Sequence, residues 1–155
     1  MTKILLVCMA KICRSPMACS VGRQMARNAG LAGSLKFDSA GSHAHIAGRR
    51  MDARASAVLL SRSYKPDRSR SRQVSEQDFQ QSDLILAMDS FNLEALQRQC
   101  PPIYQHKLRL LLSFAPESGA TEVPDPYYGD TAGFMRVLDL CEAALRGLMA
   151  KLPNT

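Results

Sequence analysis

The sequence predicts an α/β fold: a single domain over residues 1–155, with a four-stranded parallel sheet flanked by helices on both faces. Three observations carry this expectation. The chain has 155 residues, 46% of them hydrophobic and 22% charged, which is enough to bury one core at an ordinary globular balance. Short apolar runs bounded by breaks alternate with stretches of helical spacing, and that alternation builds a parallel sheet covered on both sides. No internal repeat, long linker or low-complexity block interrupts the pattern.

The elements follow in order. Lys3-Ile4-Leu5-Leu6-Val7-Cys8 is short, apolar and followed by a break, as a buried strand is. Ser15-Pro16 supplies an N-cap and a first helical residue, and the helix is expected to run to Gly30, a natural stop. A second strand is expected over 35–40, ended by Gly41, and then a helix over 51–60. A short helix over 75–80 is capped by Ser75, with Asp78 three residues on. The third strand spans 83–88, and a helix over 90–99 stops at Pro101-Pro102. Residues 107–112 are read as the fourth strand. A loop with Pro116, Gly119, Pro124 and Pro126 leads to a last helix over 132–150, where Phe134, Val137, Leu138, Cys141, Leu145 and Leu148 recur at helical spacing.

Ligands of such sheets bind at the carboxyl ends of strands, so the first strand–helix junction is the first candidate site. It reads Cys8-Met9-Ala10-Lys11-Ile12-Cys13-Arg14-Ser15-Pro16. A loop wrapped at a helix start can aim several backbone N–H groups at one spot, and the helix dipole adds positive potential there. That centre stabilises an anion, and equally a thiolate. A cysteine so placed beside arginine can have a pKa far below the free value of ~8.5, and Cys8 would then be a nucleophile at neutral pH. Arg14 offers a planar fork to two phosphate oxygens. The Ser15 hydroxyl either donates to the thiolate or caps the helix. The competing reading is a core thiol at a strand end and a surface arginine, and the loop alone does not separate the two.

Phosphoryl transfer to sulfur requires a leaving group to be protonated. In Asp125-Pro126-Tyr127-Tyr128-Gly129-Asp130, a turn between proline and glycine, Asp125 is placed to protonate a leaving phenolate and then activate water. Tyr127 and Tyr128 would wall the cleft and stack on an aromatic substrate. Taken alone, the segment reads first as a turn with Asp125 as a cap and surface tyrosines.

The net charge is +6, and much of the excess lies at Arg49, Arg50, Arg54, Arg62, Lys65, Arg68, Arg70 and Arg72. A solvated face is the first reading of this run and an anionic partner surface the second. Nucleic acid comes third, because no aromatic interleaves with the basic residues. No apolar run reaches the ~18 residues of a membrane span, and the apolar start is too short for a signal-peptide core, so a cytoplasmic location is expected. Five cysteines form no CxxC pair and no metal pattern. They are read as thiols of a reducing compartment.

Together these residues resemble the low-molecular-weight protein tyrosine phosphatase family, bacterial type. The likeness runs in order over nearly the whole chain. It takes in Cys8 with Arg14-Ser15-Pro16, then Ser39-Ala40-Gly41 and Asp52-Ala53-Arg54-Ala55. It continues through Ser71-Arg72-Gln73-Val74, residues 83–89, Asn92 and Asp125-Pro126-Tyr127-Tyr128. The resemblance implies hydrolysis of phosphotyrosine through a phospho-cysteine on Cys8, with Arg14 binding phosphate, Ser15 assisting and Asp125 as general acid and base. It implies that Met9, Ala10, Lys11, Ile12 and Cys13 wrap the phosphate, and it implies no metal or other cofactor. The implied partner is a tyrosine-phosphorylated protein, by analogy a bacterial tyrosine kinase of polysaccharide export.

Four departures accompany the likeness. The family usually has Gly-Asn where this chain has Ala10-Lys11. It has a histidine at Ser69, in one network with the loop asparagine and the serines matching Ser15 and Ser39. The loop is therefore expected to be held differently, with reduced or regulated activity. An aromatic wall residue aligns with His45. Cys13 follows the family's second loop cysteine, read either as a disulfide partner for Cys8 or as a small buried side chain. Arsenate reduction on the same fold needs further cysteines after the third strand, and residues 83–99 contain none. The alternative kept open is a phosphotyrosine- or anion-binding module without efficient turnover.

Overall fold

A computed structural model of the chain describes residues 1–10, 12–44, 46–127 and 129–152. The apolar runs become four parallel strands, β1 (Thr2–Cys8), β2 (Leu35–Gly41), β3 (Leu84–Ala87) and β4 (Leu108–Leu110). Their order is β2-β1-β3-β4. The helices are α1 (Arg14–Asn28), α2 (Ala53–Ser61), α3 (Glu76–Gln81), α4 (Ser90–Gln99) and α5 (Thr131–Lys151).

β1 is apolar along its length because both of its faces are covered. Ile4, Leu6 and Cys8 point into a large core with residues of α1, α2 and α5, including Met17, Leu59 and Phe134. Leu5 and Val7 point the other way, into a smaller core with Phe79 of α3 and Leu96 of α4. The period of two along a strand thus sends consecutive side chains to opposite layers. No helix of the described residues is long and apolar enough to cross a membrane.

The ends fall within two residues of expectation, and the larger offsets have physical causes. α1 stops at Asn28. Gly30 follows with a positive φ of 73°, and Leu31 N–H returns to the Ala26 carbonyl at 2.7 Å, closing the helix end. α3 carries the expected capping box between Ser75 and Asp78. The fourth strand is only three residues long. Leu111–Phe114 winds instead into a 3₁₀ turn, which sends Leu111, Leu112 and Phe114 together into the large core; a strand would have alternated them.

Ser15 is not the N-cap of α1. The helix begins one residue earlier, with Cys13 in the cap position and no side-chain cap bond. The Ser15 hydroxyl is turned to the Cys8 sulfur instead.

Candidate active site

The strand order reverses beside the carboxyl end of β1: the chain goes from β1 outward to β2, then returns to β3 on the other side. Cys8 ends β1 at that switch point, where α/β sheets place their ligands. Its thiol lies 3.2 Å from Ser15 Oγ. Both residues are buried, so this contact is shielded from solvent competition.

The loop after Cys8 is held from three sides. The tail of β2 donates Ser42 N–H to the Cys8 carbonyl and His43 N–H to the Met9 carbonyl, each at 2.8 Å. The residue capping α2, Asp52, donates its N–H to the Ile12 carbonyl at 2.7 Å. The buried side chain of Asn92 on α4 completes the cradle. With its amide turned to suit its neighbours, it donates to Asp89 Oδ1 and accepts from Met9 N–H and the Ser42 hydroxyl.

Arg14 is 3% exposed. Its Nη1 donates to Asp89 Oδ2 at 2.6 Å and to the Val123 carbonyl at 3.0 Å. Asp89 follows β3, and Val123 is tied to Met88 by a backbone hydrogen bond. Two segments distant in sequence thus fix one guanidinium plane. Burial pushes the Arg14 pKa down, but the neighbouring Cys8, Asp89 and Asp125 outweigh it, and the net shift is upward. The side chain remains a cation.

Asp125 Oδ2 stands 3.8 Å from Arg14 Nη2, while Asp125 Oδ1 accepts the Tyr127 N–H at 3.0 Å. The turn therefore presents one carboxylate oxygen to the anion site. Cys8, Arg14 and Asp125 share a cavity of about 240 Å³ with Met9, Ala10, Ile12, Cys13 and Tyr127. Lys11, His45 and Tyr128, also expected there, lie outside the described residues. Burial, reinforced by Asp52, Cys8 and Asp125, pushes the Cys13 thiol up to about 12, so it is protonated at neutral pH. All five cysteines are buried, free thiols in this structure.

Sequence reasoning missed four residues. Arg49 lines the same cavity. Asp89 and Asn92 were quoted only as parts of a motif; an acid directly after a central strand, beside the strand carrying Cys8, was the signal. The fourth is Asp67, whose side chain is 1% exposed. It accepts from Ser39 Oγ at 3.4 Å, Ser69 Oγ at 2.7 Å, Ser69 N–H at 3.0 Å and Arg23 Nη1 at 2.8 Å. Its own N–H donates to Ser20 Oγ on α1. A buried carboxylate thus organises Ser39 and Ser69, two of the three serines at the altered network.

The chain is similar to known proteins over nearly its whole length. The family model described as low molecular weight phosphotyrosine protein phosphatase matches residues 3–155. A putative low molecular weight protein-tyrosine-phosphatase of Synechocystis, slr0328, is 40% identical over 151 residues, covering 97% of this chain and 96% of that one. The low molecular weight protein-tyrosine-phosphatase of Streptomyces coelicolor is 40% identical over 151 residues, covering 96% and 92%. Among solved structures, a protein tyrosine phosphatase from Entamoeba histolytica with Hepes in its active site superposes with a TM-score of 0.93 at 39% identity, covering 97% and 96%.

Proposed function

The chain belongs to the low-molecular-weight protein tyrosine phosphatase family of phosphoric monoester hydrolases, and from that premise we propose that it hydrolyses phosphotyrosine on proteins by way of a phospho-cysteine on Cys8. The observation that carries the proposal is the convergence of Cys8 and Arg14, from the two ends of one loop, and Asp125, from a distant turn, on one cavity.

The steps follow from the geometry. The phosphate enters over the loop, where backbone N–H groups and Arg14 balance its charge. The Cys8 thiolate, receiving a hydrogen bond from Ser15, attacks phosphorus in line. The S–P bond forms, the bond from phosphorus to the tyrosyl oxygen breaks, and Asp125 gives its proton to that oxygen. Tyr127 walls the ring of the departing tyrosine. Water then enters beside Asp125, which takes its proton as the oxygen attacks phosphorus. The S–P bond breaks, and inorganic phosphate leaves with the thiolate restored. A tyrosine kinase of polysaccharide export, in the cytoplasm of a bacterium, is the partner we expect by analogy.

The experiment is hydrolysis of para-nitrophenyl phosphate from pH 5 to 8 by wild type, Cys8→Ser and Lys11→Asn. Wild type is expected to turn over, Cys8→Ser to lose turnover while keeping phosphate binding, and Lys11→Asn to run faster. Turnover by Cys8→Ser would sink the nucleophile assignment. The Ala10-Lys11 departure favours the second reading, an anion-binding module; binding of phosphotyrosine without phosphate release by either wild type or Lys11→Asn would select it.

A further inference from the structure

The basic run between Arg49 and Arg72 was read from the sequence as a solvated face, and the structure divides it instead. Among the described residues, three of its eight cations are seen in ion pairs with carboxylates. Arg54 binds Asp52, Arg62 binds Asp139 and Glu142, and Arg72 binds Asp38 and Asp78. Arg49 lines the catalytic cavity. The remaining four, Arg50, Lys65, Arg68 and Arg70, line one neighbouring open cleft of about 880 Å³. Among the described residues Arg50, Lys65 and Arg68 form no ion pair. Asp67 is the only acid among the described residues lining the cleft, and it is buried against Arg23. The cleft is therefore cationic.

It is also a fixed feature placed beside the active site. The segment bearing Arg49 and Arg50 is pinned by Ser71. Gly48 N–H donates to the Ser71 carbonyl at 2.9 Å, Ser71 N–H to the Arg49 carbonyl at 2.7 Å, and Arg49 N–H to Ser71 Oγ at 2.8 Å. Consecutive residues thus face the two cavities, Arg49 the catalytic one and Arg50 the cleft. Between the cations, Met51 and the 61% exposed Leu60 give the cleft an apolar patch. Among the described residues its one aromatic, Tyr64, is half-buried and donates its hydroxyl to Glu142 at 2.6 Å, which does not suit a ring to base stacking.

We infer that this cleft receives the acidic flank of the protein substrate: Asp or Glu residues on one side of the phosphotyrosine, with an apolar side chain on Leu60 and Met51. The inference rests on the phosphotyrosine reading of the adjacent cavity and extends it to sequence preference. Several exposed pairs, each weak alone, sum to a preference that is salt-sensitive.

The test uses full-length Cys8→Ser protein and three short labelled phosphotyrosine peptides: acidic before the tyrosine, acidic after it, and neutral. Binding is followed by fluorescence anisotropy at low and high salt. One acidic peptide should bind about ten-fold more tightly than the neutral one, with the gain lost in high salt. The gain should also be lost in K65E/R68E and reduced in R50E, each made on the Cys8→Ser background. Equal affinity for all three peptides would overturn the inference. So would a preference that survives both charge reversals, or tighter binding of a single-stranded oligonucleotide than of the acidic peptide. Turnover of para-nitrophenyl phosphate by wild type is measured separately. Its absence with the acidic preference intact supports the cleft while overturning the phosphatase reading.

Discussion

Arg14 is the residue on which the site's geometry turns. A guanidinium serves a phosphate only when its plane is set before the phosphate arrives, because the fork must meet two oxygens at once. Here Asp89 and the Val123 carbonyl share one terminal nitrogen and set that plane. In the proposed mechanism Asp89 acts through Arg14, to which it is bonded, as a positioning residue. Asp89→Ala is expected to lower kcat/KM for para-nitrophenyl phosphate about 100-fold, the scale of a misplacement near 1 Å. The inhibition constant of inorganic phosphate should rise with it, since in the proposed mechanism Arg14 also binds the product. Asp89→Asn, which keeps an acceptor, should lose less of both. A wild-type phosphate constant in Asp89→Ala would show that Arg14 is held without Asp89.

At the scale of elements, the site is a loop squeezed between the ends of two strands. Gly41 ends β2 against the loop that follows β1. A Cβ there would stand 2.8 Å from the Met9 carbonyl oxygen and 2.8 Å from the Ala44 Cβ. The sequence showed Gly41 as a strand end. The close approach shows why a side chain is excluded. Gly41→Ala should displace the loop at Met9, weakening phosphate binding, and lower stability by about 1–3 kcal/mol as overpacking does. Urea unfolding and phosphate inhibition together check it, and a stability loss without a change in phosphate binding would mean that the loop is anchored elsewhere. Periodicity and breaks made the strands and long helices legible, because burial on both faces of a sheet leaves a local trace. The contacts of Asp67 and Asn92 left none. A buried carboxylate is recognisable only from the donors around it, and Ser39, Ser69 and Arg23 come from three other places in the chain. At Ser69 the structure shows a serine bonded to buried Asp67, and that carboxylate was invisible as a partner in the sequence.

Across the whole molecule, burial of thiols and a phenol makes stability depend on alkaline pH. Burial pushes Cys13, beside the catalytic loop, up to about 12; Cys141 inside α5 and Tyr64 after α2 reach about 12 as well, burial being the first cause in each. In the unfolded chain these groups release protons near ~8.5 for cysteine and ~10 for tyrosine. Their folded-state pKa values are raised, so their contribution is fully present below the unfolded values and is lost as pH climbs toward the folded ones. Above about pH 8.5 the folded state binds more protons than the unfolded, and stability must fall with rising pH. Charge works the other way. The net charge of +6 declines as lysines titrate, which relieves self-repulsion and by itself would stabilise the fold. Urea midpoints are therefore expected to hold from pH 7 to 8 and to drop between pH 9 and 12, despite the falling net charge. Cys141→Ala, although less stable at pH 7 for the cavity it leaves, should show a shallower drop, short by up to about 1.4 kcal/mol per pH unit for the one proton removed. An unchanged slope in Cys141→Ala would mean that this thiol does not hold its proton in the folded core.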